Sequence, residues 1–248
     1  MAFALGAGDR IVGVSGYSVR PAEARLKEKV AAFTSIRMDK IRELKPDLIL
    51  GFSDLQKDIL RDLAGEGFNV LVTNQRSLEE VGNAILATGR ILGLEERALK
   101  IRGEFFSELD RLAQTAFTPQ GCKTVRPRVY FEEWDDPMIS GIRWVSELIA
   151  RLGGEDVFKD KSAGTVARQR TVTSEEVIGT NPDVIIASWC GKKVQFEKIR
   201  SRPGWDAITA VQKNQIYEIK SPDILAPGLS LLHGARQLAS ILGTLANR

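Results

Sequence analysis

Few residues in this chain have the types and spacing that chemistry needs. The stretch FEEWDD sets Glu132, Glu133, Asp135 and Asp136 around Trp134. Paired carboxylates can hydrolyse glycosides or hold a hard cation. No matching acidic segment occurs elsewhere, so solvated loop acidity is the simpler reading. Cys122 and Cys190 have no CxxC spacing and no histidines beside them, which argues against a zinc site. They are either two free thiols or one disulfide. His233 is the only histidine, and LSLLHGARQLASIL around it has helical periodicity, so it reads as a helix-face residue. There is no GxSxG elbow and no HExxH, and GAGDR lacks the lysine and hydroxyl residue of a phosphate loop. With one histidine, general-base chemistry of the usual kind is poorly provided for. The chain reads as a binder and not as an enzyme.

Aromatic residues make up only 7 % of the chain, so their placement is informative. Tyr17 follows RIVGVSG, and Phe52, Trp134 and Trp189 each follow an expected strand. In open α/β sheets ligands sit beyond the carboxyl ends of strands, and flat ligands are gripped by ring faces. Core packing is the alternative for each ring. Trp144, inside a helix, and Trp205, in RPGWDAI, read as structural. Phe52 and Trp189 close a phrase that occurs twice, KPDLILGF and NPDVIIASW. Each has a Pro-Asp pair, an apolar run, a small residue and an aromatic. Two readings stand: two walls of one cleft, or a common helix-to-strand junction.

The elements that must position these residues alternate along the chain. RIVGVS, DLILGF and FNVLVTN read as strands; SIRMDKIRELK, SDLQKDILRDLAGEG and SLEEVGNAILATGRILG read as helices, the last opened by Ser77 with Glu80 three residues on. Leu94, Ala98, Ile101, Phe105, Leu109, Leu112 and Ala113 form one stripe of a long helix, which TPQGCKTVRPR breaks. The alternation then resumes with strands PRVYFEEW, PDVIIASW and NQIYEIK. The helices there are GIRWVSELIARLGG, TSEEVIGTN (capped by Thr173 or Ser174) and GLSLLHGARQLASILGTL. The expected fold is α/β with two lobes, each a mostly parallel sheet flanked by helices, joined by one long rigid backbone helix. The expected boundaries are 1–93 for the N-terminal lobe, 94–118 for the connecting helix and 119–248 for the C-terminal lobe.

Bulk properties exclude several classes. A charged content of 27 % and a net charge of +3, with acids and bases interleaved, leave no basic stripe for nucleic acid. The longest apolar runs are strand-sized, too short for a transmembrane helix. MAFALGAGDR has neither the basic start nor the long apolar stretch of a secretory signal, which taken alone points to the cytoplasm.

Five segments in order resemble one family: GDRIVGVSGYSVRPAEA, IRELKPDLIL, WDDPMISGIRWVSELIARLGGEDVF, TVTSEEVIGTNPDVII and SRPGWDAITAVQKNQIYEI. Together they are similar to the substrate-binding proteins of metal-chelate ABC importers, and most of all to the cobalamin-binding members. The resemblance covers nearly the whole chain. It implies a non-enzymatic, monomeric protein that captures a corrinoid between two lobes and delivers it to a permease with its ATPase. A ferric siderophore or haem is the alternative ligand, for which Arg143, Arg168 and Arg170 would be candidate cations. No cofactor is implied beyond the ligand. By position, the resemblance makes Tyr17, Phe52, Trp134, Trp189, Gln169 and Asp223 ligand-binding residues, and Glu175 with Asp54 or Asp58 the acids that dock on permease arginines. The chain departs from the family at Val72, where an aromatic would stand, and near Gln169 and Arg170, where a tryptophan would. It also begins inside a helix that family members place after a leader and a first strand. The resemblance therefore implies export to the periplasm or a membrane-tethered extracellular position, and a first lobe lacking its first strand. A rival reading from another class is a two-lobed metal-cluster enzyme with Cys190, directly after Trp189, as a ligand.

Overall fold

The computed structural model describes residues 1–32, 35–116 and 126–246, without the side chain of Ala246. The chain divides into two compact units. The first comprises residues 1–75 and 79–103, the second residues 76–78 and 104–248.

The first unit holds two separate parallel ladders. β1 (Gly13–Ser15) pairs with β2 (Glu28–Ala31), and after α1 (Met38–Leu44), β3 (Ile49–Phe52) pairs with β4 (Val70–Thr73) across α2 (Lys57–Gly65). A single mostly parallel sheet was the sequence expectation for this half. Each described strand here instead has one strand neighbour, so backbone edges and side chains stay partly open: Leu50 is 44 % exposed and Val72 41 %. Two helices follow, α3 (Leu78–Ile91) and α4 (Glu95–Ala116). They approach so closely that a Cβ on Gly89 would lie 2.2 Å from the Ala98 Cβ. The stripe expected on α4 is the buried one, with Ala98, Phe105, Leu109 and Leu112 in the core.

The second unit holds a five-stranded sheet. β5 (Arg128–Asp135) is flanked by β8 (Val184–Ala187), which pairs in turn with β9 (Ile216–Glu218), all parallel. On its other side β5 pairs with antiparallel β6 (Met138–Ser140) and parallel β7 (Glu155–Asp156). On one face Tyr130, Ile185 and Ala187 pack with residues of α6 (Ser174–Thr180), α7 (Phe196–Arg200) and α8 (Thr209–Gln212). On the other, Val129 meets α5 (Arg143–Arg151) and α10 (Leu231–Ala246), whose Ile149 and Leu242 converge with it on Gly154. The short α9 (Ser221–Ile224) is tied in through Ile224, whose carbonyl accepts the Trp144 indole N–H at 2.9 Å. Trp144 and Trp205 are both core residues. His233 lies on the exposed side of α10.

The repeated phrase has one structural basis in both units. α1 ends on Lys45 at φ +46° and α6 on Asn181 at φ +41°, both left-handed, and a proline follows each and starts the run into β3 or β8. Left-handed C-terminal caps suit Gly or Asn, and a following proline cannot continue the helix. The consequences differ. β8 lies between two strands and buries all four residues, whereas β3 has one partner and buries none. Among the described residues no helix is long and apolar enough to cross a membrane.

Candidate functional site

β5 and β8 run parallel in a register that sets Glu132 beside Ala187, and the Ser188 N–H donates to the Glu132 carbonyl at 2.8 Å. FEEWD and SWCGKK therefore emerge side by side at the carboxyl end of the sheet. The acidic stretch is not a solvated loop: all of FEEWDD but Asp136 belongs to β5, and Glu132 and Asp135 are buried. Each buried acid meets a cation from a distant segment, because a carboxylate taken out of water needs compensation.

Glu132 is the innermost. Arg202 donates to both of its oxygens, at 2.5 and 3.0 Å, the Trp189 indole N–H donates at 2.9 Å and the Tyr130 hydroxyl at 3.1 Å. Burial and the neighbouring Glu132 charge push the Tyr130 phenol well above its usual range, so it stays a donor here. The Arg202 guanidinium also lies 4.5 Å from the Trp205 ring centre. Glu133 takes two hydrogen bonds from Arg170, at 2.6 and 3.1 Å, and Arg170 also donates to the Ser140 carbonyl. Asp135 accepts from the ammonium groups of both Lys192 and Lys198. Burial alone would raise the Asp135 carboxyl, and the two lysines more than offset it, holding it below its usual value.

Trp134 is half-buried, and its indole N–H donates to the Asp136 carbonyl at 2.8 Å. The Lys192 ammonium lies 4.0 Å from the Trp134 ring centre and 5.0 Å from that of Trp189. Trp189 itself is buried in the core with its indole tied to Glu132, so it supports the strand end from within and offers no open ring face. Asp223 is likewise interior, with a carboxylate oxygen accepting from Gln237 at 3.2 Å. Gln169 is exposed, but its carbonyl oxygen accepts the Thr165 and Val166 amides and closes a local turn. Of the cations considered for a siderophore, Arg170 is committed to Glu133 and Arg143 to Glu147, while Arg168 is exposed.

In the first unit Tyr17 is 63 % exposed. Phe52 ends β3 and donates its N–H to the Gln56 side chain at 3.3 Å. Ser53 follows at φ +76°, a left-handed position for a non-glycine residue, and its hydroxyl accepts the Leu55 amide. The Asp54 amide reaches Asn74 at 3.4 Å, linking the ends of β3 and β4. Asp58 pairs with Arg61. In the second unit the two acids at the start of α6 have separate roles. Glu176 forms the reciprocal cap with Thr173 and pairs with Lys161. Glu175 is exposed, with no ion pair among the described residues, its carboxyl lowered by its own backbone amide and the Thr173 hydroxyl.

Cys190 is a free thiol, raised by partial burial and then by the Glu133 charge, which makes it a poor thiolate ligand at neutral pH. Cys122 lies outside the described residues. No group of three or more His, Cys, Asp or Glu among the described residues is set to hold a metal ion. Sequence reasoning passed over Lys192, Lys198 and Arg202. Their signal was the basic run GKKVQFEKIRSR directly after β8, complementary in charge to FEEWDD.

A family model described as periplasmic binding protein matches residues 1–222. An uncharacterized ABC transporter substrate-binding lipoprotein, YvrC of Bacillus subtilis (strain 168), is 27 % identical over 244 residues, covering 96 % of this chain and 74 % of its own. The crystal structure of the periplasmic vitamin B12 binding protein BtuF of Vibrio cholerae superposes with a TM-score of 0.76 at 25 % identity, covering 100 % of this chain and 93 % of that one. The periplasmic heme-binding protein RhuT from Roseiflexus sp. RS-1, in apo form, shares the fold with a TM-score of 0.83 at 20 % identity, covering 99 % and 94 %. The family model spans most of the chain, so the chain belongs to the periplasmic binding protein family of ABC importers, whose members bind substrates and are not enzymes.

Proposed function

We propose that this protein captures a corrinoid of the cobalamin type and delivers it to a membrane permease and its ATPase. The observation that carries the reading is Trp134: a half-buried ring fixed at a parallel strand end, in a family whose B12-binding member shares the fold at 25 % identity. Tyr17 and Phe52 supply further aromatic surface from the first unit, while Trp189 supports Trp134 from the core. Gln169 and Asp223 act through the local structure they hold. Glu175 meets the permease, with Asp54 or Asp58 as the acid of the first unit; separated charge pairs fix orientation more than they add affinity. The site of action is the periplasm or the outer membrane-tethered face of the cell, in line with the lipoprotein relative. We further propose residues 1–93 and 119–248 as the functional lobes and 94–118 as the helix joining them.

Titration with cyanocobalamin, followed by tryptophan fluorescence, tests the reading. Saturable quenching at micromolar or lower ligand, weakened about two- to tenfold by Trp134→Ala, is expected, since one ring stack contributes roughly 0.5–1.5 kcal/mol. No response from folded protein would refute cobalamin. Haem or a ferric chelate is the second reading, favoured by the two ammonium groups held on Asp135.

A further inference from the structure

The second unit carries charge in layers at its strand ends. The Asp135 side chain is 1 % exposed, yet the Lys192 and Lys198 side chains bound to it are 40 % and 47 % exposed. The carboxylate faces inward and the ammonium groups outward. An ammonium has more N–H donors than the one each lysine gives to Asp135, so both keep donors for a further acceptor. One buried carboxylate also cannot neutralise two cations. The other acids of the strand end are engaged: Glu132 by Arg202 and Glu133 by Arg170, and Glu218 accepts the Val194 amide at 3.2 Å. Asp136 is exposed nearby, as is the additional cation Lys193. Beside this pair the Trp134 ring lies under Lys192.

We propose that Lys192 and Lys198, held in place by Asp135 beside Trp134, recognise an anionic arm, carboxylate or phosphate, on the metal chelate that the protein carries. The inference rests on the proposed capture of a metal chelate and adds the chemical feature selected. The exposed part of the Trp134 ring offers apolar contact to the chelate, and the two ammonium groups offer charge-assisted hydrogen bonds to its arm. Arg168 and Arg143 are not needed for this role.

The test compares ligands with and without the arm, and the lysine variants separate the charge of the arm from any other difference within a pair. Haem is set against its dimethyl ester, and cyanocobalamin against dicyanocobinamide, which lacks the phosphate-bearing loop. Wild-type protein is expected to bind the anionic member of at least one pair about tenfold or more tightly, the range for a hydrogen bond to a charged group. The pair that shows the ratio identifies whether a carboxylate or a phosphate is read. In Lys192→Gln, where Lys198 still satisfies Asp135 and keeps its own donors, the ratio is expected to fall about threefold or more. Lys192→Arg restores it. Equal wild-type affinity for both members of each bound pair overturns the inference and leaves metal-chelate capture standing. So does an unchanged ratio in Lys192→Gln and Lys198→Gln. Failure of folded wild-type protein to bind any of the four overturns both. The wild-type ratio requires no variant, so the inference stays refutable even if a substitution unfolds the protein.

Discussion

Removing Arg202 probes how the second unit is held together at its functional end. Arg202 supplies two of the four hydrogen bonds to the Glu132 carboxylate among the described residues, on a residue with no exposed surface. In Arg202→Met the carboxylate keeps the Trp189 indole and the Tyr130 hydroxyl, both neutral donors, and loses its one ion-pair partner among the described residues. Stranding one buried charge of a pair costs about 3–5 kcal/mol, and the packing of the guanidinium on Trp205 adds roughly 0.5–1 kcal/mol. The loss should therefore be about 3.5–6 kcal/mol in total. Glu132→Gln in the same background keeps an oxygen for the Trp189 indole, leaves the Tyr130 hydroxyl to accept from the amide and removes the charge. The double variant should regain most of the loss, ending within about 2 kcal/mol of wild type. Urea unfolding followed by tryptophan fluorescence reads the effect, since Trp189 and Trp205 flank the pair. A loss under about 1 kcal/mol in Arg202→Met, or a double variant less stable than the single one, would refute the account of Arg202 as the counter-charge to Glu132.

Other outcomes follow from single features. Lys45→Gly should stabilise the first unit by about 0.5–1 kcal/mol, the relief of a left-handed non-glycine residue less the extra unfolded-chain entropy. The matching Asn181→Gly should not stabilise, because the Asn181 side chain accepts the Thr209 amide at 2.8 Å; thermal unfolding of both variants checks the contrast. Asp156 is buried with one carboxylate oxygen unpartnered, and burial raises its carboxyl above the usual 3.8 despite the Ser146 and Phe158 donors. The folded state thus holds this proton to higher pH than the unfolded chain. Its contribution is complete below 3.8 and is lost as pH rises through the raised value. Asp156→Asn should flatten that decline; denaturant midpoints measured from pH 3 to 7 in both proteins check this, and a decline that persists in the variant would count against the assignment.

Local signals account for much of what could be read in advance. The α/β alternation, the α4 stripe, the two left-handed helix ends before Pro-Asp and the Thr173–Glu176 cap all depend on neighbours within a turn or two. Hydrophobic periodicity and capping chemistry encode such neighbours directly. Trp144 and Trp205 were legible for the same reason, lying where periodicity or a turn places a core side chain. Trp189 was not: a ring after a strand can point outward or inward, and what turns it inward is Glu132 on the neighbouring strand.

The pairing of distant segments was decided by tertiary structure alone. Nothing local shows that β3 would have one strand neighbour and β8 two, so the same phrase yields an open strand in one unit and a buried one in the other. Nor can spacing show that Arg202 lies against Glu132, 70 residues away, or that two lysines share Asp135. Charge runs of opposite sign are visible in the chain. Which acid is buried, and which cation must follow it, depends on the sheet that removes the acid from water.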